Sequence, residues 1–337
     1  MPQIMFFTPA ASKRAVAGWL VALVIGLSVL GAFLHCSDNV ISRNRYAGTV
    51  PYGSSFWLPW HHQQFRILQI SDPQVESVWD KCKDVDSIHH CGTHNTSRFI
   101  SRAISFTNPD FVVVTGDLVF GPRSPVSAFQ AVLLPLDRSS VPYATIFGNH
   151  DVQRCSKWDE HESAAHLRQR STLHGTSKLM VGNGQLCVWM IDYSHTYAGW
   201  VNPAHLAWIR NDSSCRNAGA SLAFTHFPVA LLRSNIVGSL NEPIDWPRAP
   251  SELLQTLHLL PSLKVVGFGH DHTNTACGTT PDGLTGCYAG SAGYTTYGDR
   301  NVPRQARVYD IYKNYRVFTF RVLDGQSLQS TEYHELQ

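Results

Sequence analysis

The sequence predicts an α/β fold in which short buried strands alternate with amphipathic helices. Six short apolar runs, each bounded by turn residues and rich in β-branched or aromatic side chains, are typical of buried strands. Longer segments with one apolar face lie between them and predict helices. Because 337 residues with 43% hydrophobic content can bury a large core, this alternation indicates stacked layers of strands and helices.

The individual elements can be placed along the chain. The predicted strands are residues 65–71, 111–116, 143–148, 187–192, 221–226 and 264–269. The predicted helices are residues 95–107, 125–137, 203–211 and 250–260, and the last two begin with a proline, which is favoured at the first helical position. After residue 284, three alternating runs at 287–298, 306–312 and 315–323 predict antiparallel strands of a second sheet.

The ends of the chain are expected to lie outside this fold. Residues 15–34 carry no charge, and about 20 residues at a rise of ~1.5 Å match the ~30 Å hydrocarbon core of a bilayer. They predict a transmembrane anchor after a cytoplasmic N-terminus, residues 1–14. A cleaved signal peptide is the alternative, although the apolar run exceeds the ~7–15 residues of a typical signal sequence. Residues 35–63 predict a stalk, residues 64–325 the folded domain and residues 326–337 a tail.

Cysteines and glycosylation sequons favour an oxidising compartment. Two sequons, at Asn95 and Asn211, lie downstream of the hydrophobic segment, as do the eight cysteines. The expected disulfides are Cys82–Cys91 and Cys277–Cys287, while Cys155, Cys187 and Cys215 leave one thiol unpaired. We therefore expect a single-pass type II membrane protein with its domain in the secretory lumen or outside the cell. A secreted protein, or a cytosolic one with reduced cysteines, is the alternative.

Polar residues that can bind metal ions follow five of the six predicted strands. They are Asp72, Asp117, the pair Asn149 and His150, His226, and the pair His270 and His272. In layered α/β proteins, the loops beyond the carboxyl ends of strands line the crevice that binds ligands. A pair of divalent ions ~3.5–4 Å apart needs one bridging carboxylate and several further ligands. Glycines before Asp117, Asn149 and His270 allow the sharp turns that such a site requires.

The ordered set Asp-x-x, Gly-Asp, Gly-Asn-His-Asp, strand-terminal His and Gly-His-x-His resembles that of the calcineurin-like metallophosphoesterases, over residues 64 to about 325. The stretches KCKDV, HCGTHNTSRF, TGDLVFG, GHDHTN and AGYTTYGDR are similar to those of a branch that holds small plant purple-acid-phosphatase-like proteins and a fungal secretory-pathway phosphatase. The resemblance implies a four-layer α/β/β/α sandwich with two divalent ions, Mn, Fe or Zn, at the strand ends.

The resemblance also implies a role for each site residue. It puts Asp72, Asp117 and His272 on one ion, and Asp117 as the bridge with Asn149, His226 and His270 on the other. His150 is implied as the general acid or transition-state donor, with Asp151 as its acidic partner. Tyr297 and Arg300, which follow the last ligand motif, are expected to face the phosphate, Arg300 as an anion clamp.

The sequence departs from the family pattern at two positions. The first motif is usually Asp-x-His, but here Gln74 stands in place of the histidine. Its amide oxygen can coordinate, as a weaker donor than imidazole, so the first ion site is expected to be the weaker one. Purple acid phosphatases also lack that histidine, but they supply a tyrosine where this chain has Phe120. No purple colour is therefore expected.

These observations favour a metal-dependent phosphomonoesterase. The alternatives are a phosphodiesterase with the same core and, because of Gln74, a pseudophosphatase that binds a phosphorylated ligand. The expected partners are a small phosphorylated substrate or a phosphoprotein, and the membrane through the N-terminal helix. A net charge of +2 without a long Lys/Arg tract argues against nucleic acid as a partner.

Overall fold

The computed structural model describes residues 53–336, except 78, 86–90, 121–125, 152–166, 168–169, 194–200, 230, 232–235, 246–249 and 332. The expected anchor, residues 15–34, lies outside these ranges, as does the stalk up to residue 52. Within the described ranges, no helix is long and apolar enough to cross a membrane.

Two sheets form the centre of the fold. Sheet I consists of β2 (Gln64–Ile70), β3 (Phe111–Thr115), β4 (Tyr143–Ile146), β5 (Leu173–His174), β13 (Gln305–Tyr312), β14 (Val317–Leu323), β15 (Gln329–Ser330) and β16 (His334–Leu336). Its order is β15-β14-β13-β2-β3-β4-β5, and β16 also pairs with β14. Strands β2 to β5 are parallel, whereas β13 runs antiparallel to both β2 and β14.

Sheet II consists of β1 (Ser54–Leu58), β6 (Ser177–Val181), β7 (Leu186–Met190), β8 (Ala220–Phe224), β9 (Ile236–Val237), β10 (Leu263–Phe268), β11 (Cys277–Thr279) and β12 (Thr285–Tyr288). Its order is β1-β6-β7-β8-β10-β12-β11-β9. The central strands β7, β8, β10 and β12 are parallel to one another. Their carboxyl ends therefore lie at a common edge of the sheet.

Four helices cover the outer faces of the sheets in the described part of the chain: α1 (Thr93–Thr107), α2 (Val126–Ser139), α3 (Pro203–Asn211) and α4 (Pro250–His258). One apolar cluster joins sheet I to α1 and α2, a second lies between the sheets, and a third joins sheet II to α3 and α4.

The twofold repeat of a strand sends alternate side chains to different layers. In β2, Phe65 and Ile67 enter the cluster between the sheets, whereas Leu68 and Ile70 face the helices. Interior strands such as β3 (FVVVT) are therefore apolar on both faces, as the sequence predicted. The layers are helix, sheet, sheet and helix, which confirms the predicted α/β class with two sheets.

The six predicted strands and four predicted helices are present, with ends that move by no more than a few residues. The runs at 306–312 and 315–323 are antiparallel as expected, but they form β13 and β14 of sheet I, next to β2, rather than a second sheet. Three other segments also differ from expectation. Residues 54–58, assigned to the stalk, form β1 and pair with β6. The expected tail contributes β15 and β16, which pair with β14. Most of residues 287–298 form a loop rather than a strand, because only residues up to 288 pair, and they run parallel to β10.

The disulfides and sequons are only partly as expected. The structure contains Cys82–Cys91 and Cys277–Cys287 as predicted, and it also joins Cys187 to Cys215. Cys155 lies outside the described residues. The sequon at Asn95 cannot carry a glycan on the folded chain, because Asn95 is buried in α1 and its side-chain oxygen accepts a hydrogen bond from Gly92 N. Asn211, at the end of α3, is exposed.

Candidate metal centre

The polar residues singled out in the sequence meet at one edge of the fold. Asp72, Asp117 and Asn149 follow the parallel strands β2, β3 and β4 of sheet I, while His226 and His270 follow β8 and β10 of sheet II. Hydrogen bonds join the two groups. His270 N donates to Asp72 Oδ2 at 2.9 Å, and the imidazole of His226 contacts Thr115 O at 2.8 Å. The carboxyl ends of both sheets therefore supply one site.

The backbone of this site is strained. Four of the ten non-glycine residues with positive φ in the described chain are site residues, namely Asp72, Gln74, Asp117 and His270, with φ between 39° and 70°. Such conformations each cost on the order of 1–3 kcal/mol and concentrate at functional sites. They turn the chain sharply off each strand, so that the side chains point into a common space.

Glycines allow this close approach, as the sequence suggested. A Cβ on Gly148 would lie 2.1 Å from Asp117 Oδ1, and one on Gly269 would lie 2.5 Å from Asp72 Oδ2. Gly116 combines a φ of +88° with contacts to the backbone of Gly148. Because these atoms are backbone or ligand oxygens, no larger residue fits without displacing a ligand.

One cluster of ligand atoms surrounds His226. Its Nδ1 faces the carbonyl oxygen of Thr115, an arrangement that places the proton on Nδ1 and leaves a lone pair on Nε2. That Nε2 lies 3.0 Å from Asn149 Oδ1, 3.3 Å from His270 Nδ1 and 3.5 Å from Asp117 Oδ2. The ligand atoms of Asp117, His226 and His270 all lie within 4.8 Å of one another. Acceptors that converge in this way fit a cation between them.

A second pair of ligand atoms faces the same space. Asp72 Oδ1 and His272 Nε2 are buried, have no hydrogen-bond partner and lie 3.4 Å apart. His272 Nδ1 lies 3.0 Å from Tyr297 O, which again leaves the lone pair on Nε2. Two ligands that each bind one ion at about 2.0–2.2 Å have a separation of this size. A divalent ion would satisfy both atoms at once.

When no ion is bound and His272 is protonated, Asp72 and His272 stabilise each other's charge. Burial opposes ionisation of both side chains, but their mutual attraction is stronger: it lowers the pKa of Asp72 to about 2 and raises that of His272. The aspartate is therefore ionised and ready to bind a cation. Ser71 Oγ and His270 N both donate to its second oxygen and hold the carboxylate in place.

Gln74 lies in the site, but its amide nitrogen rather than its amide oxygen faces Asp117, so it is not oriented as a metal ligand. The amide nitrogen donates to Asp117 Oδ2 at 2.7 Å, and Thr296 Oγ1 donates to the amide oxygen. In this state the amide occupies the carboxylate oxygen that also faces His226. The amide orientation follows from these hydrogen bonds. Gln74 therefore compensates the charge of Asp117 when no ion does so.

His150 lies at the rim of the site. Its Nε2 is 3.9 Å from Asp117 Oδ2, its backbone N donates to Asp117 Oδ1 at 2.8 Å, and its ring contacts Phe120. The neighbouring Asp151 is buried and accepts hydrogen bonds from the backbone of Val119 and Gly148. Burial, followed by the charge of Asp117, raises the pKa of Asp151 well above its usual value. These contacts show that Asp151 holds the backbone of the loop, and its role as the acidic partner of His150 stays a prediction.

The expected phosphate contacts are placed differently. Tyr297, 45% exposed, stacks on His272 with ring centroids 3.9 Å apart and donates its hydroxyl to Glu242. It therefore borders the site. Arg300 is exposed, and among the described residues it makes no hydrogen bond or ion pair. The arginine that shapes this loop is the buried Arg304, which donates to the carbonyl oxygens of Thr296 and Tyr297.

Two acidic residues of the site were missed in the sequence. Asp245 Oδ2 lies 3.3 Å from His270 Nε2, so it can orient this imidazole with Nδ1 towards the cluster. Glu242 accepts from Thr273 N and from the Tyr297 hydroxyl, and thereby ties its loop to the loop after β10. Both belong to a segment without a strand or helix pattern, and no motif marks them.

Comparisons with known proteins agree with this geometry. The chain is 28% identical over 299 residues to the "Probable inactive purple acid phosphatase 28" of Arabidopsis thaliana, covering 73% of this chain and 75% of that protein. It is 25% identical over 326 residues to "Phosphatase DCR2" of Saccharomyces cerevisiae, covering 81% of this chain and 56% of the yeast protein.

Among solved structures, a dimetal phosphatase from Danio rerio has the same fold, with a TM-score of 0.57 at 14% identity over 81% of this chain and 98% of that one. The family model described as "Calcineurin-like phosphoesterase" matches residues 65–274, more than half of the chain. This match covers every ligand position of the cluster, and the chain belongs to the calcineurin-like phosphoesterase family.

Proposed function

We propose that this protein is a metal-dependent phosphoesterase that hydrolyses phosphate monoesters at a centre for two divalent ions. The observation that carries the proposal is the pair of buried ligand atoms, Asp72 Oδ1 and His272 Nε2, which lie 3.4 Å apart without a hydrogen bond, next to the cluster of Asp117, His226 and His270. Buried acceptors without donors cost free energy unless a cation satisfies them. The donor set of carboxylate, imidazole and amide oxygen suits Mn, Fe or Zn.

Each residue has a defined task in this proposal. Asp72 and His272 would hold one ion. Asn149, His226 and His270 would hold the other, and Asp117 would contribute to both sites. Two such ions supply a water nucleophile near neutral pH and offset the charge of the phosphate. Thr115 and Tyr297 fix the imidazoles of His226 and His272 through their carbonyl oxygens. His150, next to Asp117 at the rim, would donate a proton to the leaving oxygen.

Metal content and hydrolysis together test the proposal. The purified protein would be assayed with an aryl phosphate and with a bis-aryl phosphate after loading with Mn, Fe, Zn or Mg. We expect up to two bound ions per chain and faster turnover of the monoester. Faster turnover of the diester would assign a phosphodiesterase to the same core. Absence of turnover with all four metals would overturn the proposed activity.

A pseudophosphatase is the second candidate, and the contact of Gln74 with Asp117 favours it. An amide that donates to the bridging carboxylate competes with the ions for that oxygen. If the competition prevents occupancy, the edge would bind a phosphorylated ligand without hydrolysing it. Phosphate binding in the absence of turnover, restored to turnover by Gln74→His, would identify this state.

The compartment is a further part of the proposal. Three disulfides in the described chain fit an oxidising environment, such as the secretory lumen or the cell exterior. We place the catalytic domain there, joined to the membrane by residues 15–34, with a small phosphorylated molecule or a phosphoprotein as substrate. Protection of the domain from protease in sealed microsomes would support this orientation, and digestion without detergent would refute it.

A further inference from the structure

The short segment Cys82–Asp84 is held firmly beside the proposed metal centre. Cys82 is joined to Cys91 by a disulfide. Lys83 N donates to Tyr294 O at 2.9 Å, and buried Arg304 donates to Lys83 O at 2.8 Å. The carboxylate of Asp84 accepts from the backbone of the neighbouring loop. The backbone of Lys83 is therefore fixed by the loop that also positions His272 and Gln74.

The side chain of Lys83 extends from this fixed backbone towards His150. Its ammonium group lies over the ring of Phe120, 5.6 Å from the centroid. The ring of Phe120 lies 4.5 Å from the ring of His150, centroid to centroid. The ammonium is thus no more than about 10 Å from the His150 ring, with the two distances placed end to end. The half-buried phenyl ring of Phe120 therefore contacts both basic groups.

Within the described part of the chain, no acidic side chain neutralises the charge of Lys83. Lys83 is exposed, and among the described residues its ammonium group forms no salt bridge. The nearest acid in sequence, Asp84, is engaged with Gly298 N at 3.2 Å. A fixed and uncompensated cation at the rim of a cleft attracts anionic ligands. A cation–π contact with Phe120 keeps it in place without cancelling its charge.

We propose that Lys83 forms an anion subsite for a second negative group on the leaving group of the substrate. This inference rests on the proposed function, in which His150 faces the leaving oxygen. A leaving group beside His150 would lie near the ring of Phe120, and the ammonium of Lys83, no more than about 10 Å from His150, would then be within its reach. The favoured substrates are therefore phosphate esters whose alcohol or phenol carries a carboxylate or a second phosphate. Esters with an uncharged leaving group lack this contact.

A matched pair of substrates isolates the contact. The phosphate ester of 3-(4-hydroxyphenyl)propanoic acid and that of its methyl ester share one phenol oxygen, so their chemical step is the same. Only the acid carries a second charge, across one aromatic ring from the phosphate. The full-length protein, loaded with metal, would be assayed with both at low salt. Lys83→Met would be compared with two variants. Lys81→Met removes the same charge from an exposed residue two positions earlier, and Lys83→Arg keeps the charge at residue 83.

The expected result is a loss of the preference for the acid. The acid-to-ester ratio of kcat/KM should fall about two- to fivefold in Lys83→Met, through KM, as for a partly exposed ion pair. It should persist in Lys81→Met and in Lys83→Arg, and should decrease in high salt. An equal loss on both substrates would mean that Lys83 only supports Phe120 and would overturn the inference, as would an unchanged ratio. If neither compound is hydrolysed, the proposed function fails. The dissociation constants of the acid and of its methyl ester, measured by calorimetry for the wild type and for Lys83→Met, then show whether Lys83 binds the second negative group.

Discussion

Replacing Gln74 by methionine should tighten the binding of divalent ions. The wild-type amide donates to Asp117 Oδ2 at 2.7 Å between two buried groups. A hydrogen bond to a charged group contributes about 1.5–3 kcal/mol, and this bond must be given up when an ion takes the oxygen. Methionine has a similar volume and no donor. The metal dissociation constant should therefore fall about tenfold to a hundredfold, at ~1.4 kcal/mol per factor of ten.

The metal-free protein should respond in the opposite direction. Without the amide, the buried charge of Asp117 loses a partner, so the Tm of the metal-free Gln74→Met variant should fall by about 3–12 °C. Saturating Mn²⁺ should remove most of this difference, because the ion replaces the amide. Calorimetric titration with Mn²⁺ and thermal unfolding with and without chelator measure both effects.

Gln69→Met provides the matched control. Gln69 is equally buried and its amide contacts Thr115 and Tyr309 rather than the carboxylate. Its replacement should cost stability without changing metal affinity. Weaker metal binding by Gln74→Met would refute the reasoning, because it would mean that the amide turns and coordinates through its oxygen. Gln74→His should tighten binding, since it supplies the imidazole that the family pattern has at this position.

Three further predictions concern other parts of the molecule. Asp117→Asn should abolish turnover and reduce metal content at both sites, as measured by atomic absorption, and retention of two ions would contradict a bridging role. When the protein is made in secretory cells, a glycosidase-sensitive mass shift should disappear in Asn211→Gln and persist in Asn95→Gln, because only Asn211 is exposed. Burial acts to raise the pKa of Asp212, but the hydrogen bonds from buried Lys178 and from Ser214, together with the charge of Lys178, outweigh it and the pKa is lowered. Ionised Asp212 therefore stabilises the fold above the unfolded pKa of about 4, and this contribution is lost as the pH falls from there through the lower folded pKa. Asp212→Asn should therefore destabilise the protein to urea at pH 7, and its difference from the wild type should shrink as the pH falls below about 4.

The strands and most of the candidate metal-binding residues could be predicted from the sequence for the same physical reason. A buried parallel strand must be apolar on both faces, so a run such as FVVVT at 111–115 stands out, and the first polar side chain after it marks the strand end. Asp117 and His270 follow such runs after a glycine. Topology then brings strand ends together, without any need to know the loops.

The remaining features depend on contacts that a sequence pattern does not encode. Asp245 reaches His270 from a loop whose course follows from packing on its neighbours. The orientation of the Gln74 amide depends on Thr296, which is distant in sequence. Asp151 follows the Asn-His pair directly, yet its carboxylate binds backbone rather than the imidazole. Strand β1 (SSFWL) begins with two serines and is short, and none of its residues is fully buried because it lies at the edge of its sheet, so it lacked the signature of a buried apolar strand.

Strand β1 also has a consequence for how this protein can be handled and how it stays soluble. It lies in register on β6, whose five residues are all buried. Without residues 54–58, the backbone N–H and C=O groups of β6 would form an open and apolar edge, which is the kind of surface on which sheets of different molecules join. A protein shortened to the first central strand would retain every metal ligand and yet be prone to self-association. Residues 54–58 thus cover the edge of sheet II, and expression should begin before Ser54.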